Sequence, residues 1–368
     1  MITRLELRQL ARQTGSPAIS SVYLDVDGRY RPARATVELA FESMAQSLRL
    51  AANGDDLLLR SIEGDLHAMR TWLAHDLNRS STRGLAMFAC SSRDWFQAVP
   101  LPLPVQDAAT LGPRPRLVEL ATLLQGQKRT LVGLVDRRRL RVFRVELRHV
   151  EEVAGVSALE LRGIDTTVDM GDFHRHNDEL ARSHFRRTAN HLDQALADWP
   201  ADRLIVGGPG NAATELERYL STPARALVAG RVNVGVSGPI GEISAAIAVA
   251  EDAIEQGTER DTVRDLREHA ATGRGVLGLG PTLDALDQGR VAMLVVSAGL
   301  TAPGMRCPKC DHLSPSETQC GRCGTPTTKM DDIIELVVGQ ALADDTEIRF
   351  CRVEDLDRVG RIGAVERY

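Results

Sequence analysis

Leu283-Asp284-Ala285-Leu286-Asp287-Gln288-Gly289-Arg290-Val291-Ala292-Met293-Leu294-Val295-Val296 reads as a helix end, a glycine stop and a buried strand. Leu283 and Leu286 share a helical face, Gly289 suits the left-handed residue after a helix, and the six apolar residues that follow suit a covered strand. Helix and strand alternate on both sides of it. Ile243, Ile247, Ala250 and Ile254 mark a long helix that continues to about His269, and Ile333, Leu336, Val337 and Leu342 mark another before the strand Thr346–Phe350. Thr130–Val135 and Leu140–Val145, joined by a polar turn, predict a hairpin. A loop from Gly163 to His176 follows, then a helix capped by Asn177 and ended by Pro200, with Ala181, Phe185, Ala189, Leu192, Leu196 and Trp199 on one arc. Arg203–Val206 predicts a strand before the turn Gly207–Gly210, Asn211–Leu220 a helix, and Arg231–Val234 an edge strand.

The first hundred residues repeat the alternation. Ser20–Asp25, Arg83–Cys90 and Asp94–Pro100 suit strands. Val37, Phe41, Met44 and Leu48, then Leu58, Ile62, Leu66, Met69 and Leu73, suit two helices. Pro100, Pro102 and Pro104 break regular structure. The fold class is therefore α/β, with three layered α/β domains expected over 1–120, 128–237 and 240–368 and a small insertion over 305–326.

The chain has 368 residues, 43% hydrophobic and 26% charged, which excludes a disordered chain. No run of about 18 apolar residues suggests a membrane span, and the charged N-terminus does not read as a secretory signal. A cytoplasmic protein is expected. Net charge is −5, which argues against coating nucleic acid over the whole surface, but charge is uneven. Lys128–Arg148 holds eight basic and two acidic residues; Lys329–Arg358 holds four basic and nine acidic.

Four of the six cysteines form two Cys-x-x-Cys knuckles, Cys307-Pro308-Lys309-Cys310 and Cys320-Gly321-Arg322-Cys323. Paired knuckles place four thiolates around one ion, so a structural zinc ion, one per chain, is expected on Cys307, Cys310, Cys320 and Cys323. Four sulfur ligands leave no position for water, which excludes catalysis at that ion. Gly321 and Gly324 are expected in the tight turns. Cys90 and Cys351 sit in apolar strand patterns.

Two basic clusters are candidate RNA contacts. Arg137, Arg138 and Arg139 occupy the hairpin turn, with Arg141, Arg144 and Arg148 beyond it. His174, Arg175, His176, Arg182, Arg186 and Arg187 lie along the next loop and helix, His184, Arg187 and His191 on one flank, Arg182 and Arg186 on the other. Guanidinium and imidazole groups can meet phosphates and exposed bases together. His174-x-His176 has no third ligand at suitable spacing for a metal. Phosphate-loop, dinucleotide-fingerprint and nucleophile-elbow signatures are absent, so no small-molecule substrate is indicated.

Gly360-Arg361-Ile362-Gly363-Ala364-Val365-Glu366-Arg367-Tyr368, the passage Gly280–Val296 and the position of the cysteine insertion together resemble the archaeo-eukaryotic release factor family, which includes Pelota, over about 128–368. They resemble most its bacterial branch, which includes the hibernation factor Balon. The resemblance implies that the last two domains correspond to the family's central and C-terminal domains. It implies a ribosome-binding factor of the A site, touching ribosomal RNA, in rescue or hibernation, partnered by elongation factor Tu or another translational GTPase. The family's release factors hydrolyse peptidyl-tRNA with a Gly-Gly-Gln loop. At the corresponding place this chain reads Asp169-Met170-Gly171-Asp172-Phe173-His174-Arg175-His176, and the tripeptide occurs nowhere in it. A non-catalytic factor is therefore the leading expectation. A peptidyl-tRNA hydrolase using His174 or His176 as general base is the alternative, and a zinc-ribbon adaptor that never meets the ribosome a second one.

Overall fold

The computed structural model describes residues 2–15, 18–136, 139–153 and 170–367, with only the backbone between 170 and 181. The α/β reading holds: helices alternate with strands in four sheets. In chain order the first segment contains α1 (Arg4–Ala11), β1 (Ile19–Asp25), α2 (Arg34–Ala51), α3 (Asp56–His75), β2 (Gly84–Cys90), β3 (Trp95–Leu101), β4 (Ala108–Gly112) and α4 (Val118–Gln125). Its antiparallel sheet has the order β3-β2-β1-β4. Period-two alternation sorts the side chains. Val22, Leu24, Leu85, Met87 and Ala89 meet α2 and α3, while Tyr23, Ala86, Phe88 and Cys90 face the opposite core. Both faces are covered, which is why β2 reads as a continuous apolar run.

The middle segment contains β5 (Thr130–Val135), β6 (Leu140–Glu146), β7 (His149–Glu152), α5 (Met170–Asp198), β8 (Arg203–Gly207), α6 (Ala212–Glu217), α7 (Thr222–Ala226) and β9 (Val228–Val232). The sheet order is β7-β6-β5-β8-β9, with β5, β8 and β9 parallel and the β5–β6 hairpin antiparallel. Phe185, Ala189 and Leu192 of α5 cover one face. Ile243, Ile247 and partly buried Ile254 of α8 (Ile240–Ala271) cover the other. Arg203 is almost fully buried and ties three of these elements together. It donates to Thr130 Oγ1 (2.8 Å), Glu255 (2.7 Å) and Glu251 (3.1 Å).

The last segment contains β10 (Gly275–Leu277), α9 (Leu279–Asp287), β11 (Val291–Ser297), β12 (Gly304–Arg306), β13 (Leu313–Ser314), β14 (Thr328–Met330), α10 (Ile334–Ala343), β15 (Glu347–Cys351) and β16 (Ile362–Glu366). Its main sheet has the order β10-β16-β11-β15, and β12–β14 form a separate three-stranded ribbon. The Gly-rich ending is therefore an interior strand. A side chain at Gly363 would lie 2.8 Å from the Val276 carbonyl, and Gly360 has φ +99° with Gly278 against it, so neither tolerates a Cβ.

Three local expectations are corrected. Helix α5 starts at Met170, so His174, Arg175 and His176 lie on helical backbone and Asn177 is inside the helix, not at its cap. The Gly163–Asp169 part of the expected loop, together with Arg137 and Arg138, lies outside the described residues. The edge strand predicted over Arg231–Val234 is displaced to Val228–Val232. Helix α7, and β4 and α4 near the proline-rich break, were not expected from periodicity.

The chain forms two compact units, 1–125 with 261–368, and 126–260; the division falls within α8. In the first unit, one apolar core holds Leu7, Tyr23, Phe88 and Leu120 together with Leu286, Leu294, Ile334 and Val337. Polar contacts close its seam. Gln125 donates to the Phe350 carbonyl (2.8 Å) and accepts the Phe350 amide (2.7 Å). Glu335 accepts the amides of Leu117 (3.2 Å) and Val118 (3.3 Å) and lies 3.2 Å from Arg116. Among the described residues, no helix is long and apolar enough to cross a membrane.

Burial first, and the charge of Glu119 second, push the Glu335 carboxyl up to about 7. A carboxyl that holds its proton more tightly when folded stabilises the fold at low pH and loses that contribution as pH rises from about 4.5 to about 7. The range corresponds to about 3 kcal/mol at most. In Glu335→Gln, melting curves should shift in the variant's favour relative to wild type across that window. A difference that stays constant with pH would remove Glu335 from the pH response.

Candidate functional site

The four knuckle cysteines converge within the ribbon. Their sulfur atoms all lie within 4.8 Å of one another, with Cys307–Cys323 at 3.4 Å, Cys310–Cys320 at 3.5 Å and Cys310–Cys323 at 3.6 Å. A disulfide needs about 2.05 Å, so these are separate thiols. A tetrahedron with metal–sulfur bonds of about 2.3 Å has sulfur–sulfur edges of about 3.8 Å, so the geometry suits a four-sulfur metal site. The knuckles repeat one backbone design. Cys307 and Cys320 amides donate to the carbonyls of His312 and Thr325 (both 2.9 Å). The amides of Asp311 and Gly324 return to the Cys307 and Cys320 carbonyls (3.0 and 2.8 Å). The left-handed residues are Asp311 (φ +58°) and Gly324 (φ +69°). Gly324 thus fills the role expected of it, whereas the counterpart turn is made by Asp311 and not by Gly321.

Charge in the cluster is set locally. The Thr325 hydroxyl, 3.3 Å from Cys323 Sγ, and then its amide lower the Cys323 thiol to about 6. At Cys310 the His312 amide acts downward, but desolvation and the neighbouring thiols outweigh it and push the group up to about 12. One thiolate therefore forms readily and the next resists, until a cation compensates the crowded charge. Asp287, on α9, holds the ribbon from outside. Its Oδ1 lies 3.1 Å from Arg322 and 3.4 Å from His312, one residue from each knuckle region.

The second site is the basic face of α5. Arg182, Arg186 and Arg187 are exposed, and none makes an ion pair among the described residues. His191 is exposed too. His184, expected beside Arg187 on a surface flank, is fully buried, as is Thr188, because the packed arc of the helix is wider than the apolar residues alone suggest. His184 Nε2–H donates to the Asp136 carbonyl (2.9 Å), and burial lowers its pKa, so the ring is a neutral clamp. Asp136 begins the hairpin turn, and its carboxylate accepts the Arg139 amide (2.7 Å). The clamp therefore fastens the arginine turn to the arginine helix, joining two clusters that were separate in sequence.

Other arginines of the hairpin already have partners. Arg141 pairs with Glu152 (2.8 Å) and donates to the carbonyls of Val236 (3.0 Å) and Gly238 (2.9 Å). Arg148 pairs with Asp252 (2.6 Å), and Arg144 lies over the Trp199 ring. Exposed Arg139 donates to Ser237 Oγ (3.3 Å). Arg137, Arg138 and the side chains of His174, Arg175 and His176 lie outside the described residues.

Residues 115–257 match the sequence profile of bacterial archaeo-eukaryotic release factor family 10. Over this central stretch, less than half of the chain, the sequence thus resembles the bacterial archaeo-eukaryotic release factors. No curated protein matches. Among solved structures, the archaeal translation termination factor aRF1 is 17% identical, with 100% of this chain and 99% of that chain covered and a TM-score of 0.28. Archaeoglobus fulgidus Pelota is 14% identical over 77% of this chain and 79% of its own, with a TM-score of 0.36. S. cerevisiae Dom34 is 10% identical over 77% and 80%, with a TM-score of 0.38.

The cysteine geometry gives a direct expectation. Protein purified without chelator should hold about one metal ion per chain by elemental analysis, and serine at any one of the four cysteines should abolish it. Hydrogen exchange should then quicken in β12–β14 while β11 and β15 stay protected. A metal-free wild-type protein would refute the site.

Proposed function

We propose that the chain is a non-catalytic, ribosome-binding translation factor that occupies the A site in hibernation or rescue. The observation that carries this reading is the release-factor-family match over residues 115–257, the stretch that also bears Arg182, Arg186 and Arg187, which make no ion pair among the described residues. Arg139, Arg182, Arg186 and Arg187, with Arg137, Arg138, His174, Arg175 and His176 beside them in sequence, meet ribosomal RNA. Local charge does this work, since the net charge is −5. Elongation factor Tu or another translational GTPase delivers the factor, as the Pelota-like resemblance suggests.

The metal is zinc. The all-sulfur donor set and the 3.4–3.6 Å edges favour it over magnesium or calcium, which take oxygen. When bound, the ion supplies structural cross-linking, since four sulfurs fill its coordination. Cys307, Cys310, Cys320 and Cys323 hold it, while Asp287 fixes the ribbon to α9. The sequence has no Gly-Gly-Gln with which to orient water, so the factor blocks the A site without releasing peptide.

Ribosome pelleting across a salt series tests the binding surface. Each lost phosphate contact reduces both affinity and its salt dependence. Replacing Arg182, Arg186 and Arg187 together with Ala should weaken binding and flatten the slope. Replacing Arg4, Arg60 and Arg267 should change little. Unchanged affinity in a well-folded first variant would reduce the α5 arginines to a solvated face. In a separate assay on ribosomes loaded with peptidyl-tRNA, peptide release should stay at the buffer rate. Release that His174→Ala or His176→Ala abolishes would establish the hydrolase instead.

A further inference from the structure

The turn after β1 carries the only exposed aromatic side chain among the described residues, Tyr30, 71% exposed. A lone exposed ring is unremarkable in itself. This one is held on a built support. Asp27 is almost fully buried, and its carbonyl accepts the amides of Tyr30 (3.1 Å) and Arg31 (2.8 Å). Its carboxylate, kept down at about 2 by the Arg29 guanidinium, accepts from Arg29 Nε at 3.0 Å. Arg31 is bound to Asp107 and donates to the Asp25 carbonyl (2.8 Å). Arg79 reaches across from beyond α3 to the carbonyls of Val26 (3.4 Å), Pro32 (3.2 Å) and Arg31. Acids and carbonyls thus hold Arg29, Arg31 and Arg79 around Tyr30, whose ring is exposed.

Around the ring Arg29 and Arg31 are matched by Asp27 and Asp107, and Arg79 and Arg83 stand against Asp25, which leaves a small positive excess. Arg29 lies over one face, 5.6 Å from the centroid. Arg79 makes no ion pair among the described residues and is bound to carbonyls, which keep its positive charge, while Arg83 acts on Asp27 from beyond ion-pair distance. An exposed π face stacked on guanidinium, with a small excess of positive charge around it, suits a polyanion with flat bases better than an apolar partner.

We propose that Tyr30 is a stacking platform for an unpaired base of single-stranded RNA, with Arg29 on the opposite ring face and Arg79 and Arg83 beside the flanking phosphates. The inference builds on the ribosome-binding reading and adds a second RNA contact, in the first compact unit.

Fluorescence polarisation of the full chain with a fluorescein-labelled decauridylate tests it, in the background Arg182→Ala, Arg186→Ala, Arg187→Ala so that α5 contributes little. Tyr30→Ala should weaken binding about tenfold, the lower part of the range for one base–aromatic stack of about 1–3 kcal/mol. Tyr30→Phe should bind like tyrosine, because the ring and not the hydroxyl is used. A hairpin duplex should show no dependence on Tyr30, since its bases are already stacked. Oligonucleotide carrying 5-iodouridine should photocross-link to the Tyr30 peptide. Equal affinity of the Tyr30→Ala variant, equal loss in Tyr30→Phe, or the same dependence with duplex would each overturn the platform. So would a variant whose only defect is the loss of a protein partner. If the oligonucleotide test fails while wild-type protein still pellets with ribosomes, only the Tyr30 inference falls; if the protein does neither, the ribosome-binding reading falls with it.

Discussion

Helix α4 is held at both ends by residues more than two hundred positions away. Glu335 accepts the amides at its N-terminus, and Gln125 at its last turn exchanges two hydrogen bonds with Phe350 on the edge strand β15. Those contacts sit over the apolar core shared by the first and last segments, so the first compact unit depends on them. Their value is chiefly geometric. The Glu335 carboxylate does not recover its desolvation cost from Arg116, but an uncapped helix N-terminus and an unpaired strand edge in the same place would add costs of their own. The seam thereby selects one docking of two sheets that an apolar core alone would tolerate in several.

That long-range lock explains what the sequence could and could not show. Individual elements were legible because apolar spacing repeats within ten or twenty residues: Val37 to Leu48 and Leu58 to Leu73 mark α2 and α3, and Val291–Val296 lies within β11. The metal knuckles were legible because their geometry is local. Helix α4 was hidden in the stretch read as a boundary, since it is short and its face is defined by partners at residues 335 and 350. The start of α5 was misread because Asn177 fits a cap by type, whereas the helical backbone already begins at Met170. Asp311 escaped notice because a left-handed aspartate has no sequence mark comparable to glycine.

Arginine content shows the same limit in electrostatic form. Sequence counts guanidinium groups; only structure says which are already matched. Arg141, Arg148 and Arg231 each face a carboxylate, and Arg203 spends its donors on two glutamates and a threonine. Such groups offer little to a phosphate, because binding it would first strip an internal acid of its partner. Arg182, Arg186 and Arg187 have no such debt among the described residues. The buried imidazole of His184 gives their helix a fixed relation to the hairpin turn, so the neutral histidine orients charge that lies elsewhere.

A metal held by the four sulfurs would act at a distance without chemistry at the metal. The ribbon's strands are only two or three residues long, too short to hold their shape through ladder hydrogen bonds alone. The thiolate cluster supplies the missing constraint, and it places His312 and Arg322 where Asp287 can reach both. If the cluster loosened, the two groups would no longer be presented together. Asp287 would keep at most one of them. Local order in the ribbon and its attachment to α9 are therefore one event, and the four sulfurs set the position of a surface that none of them touches.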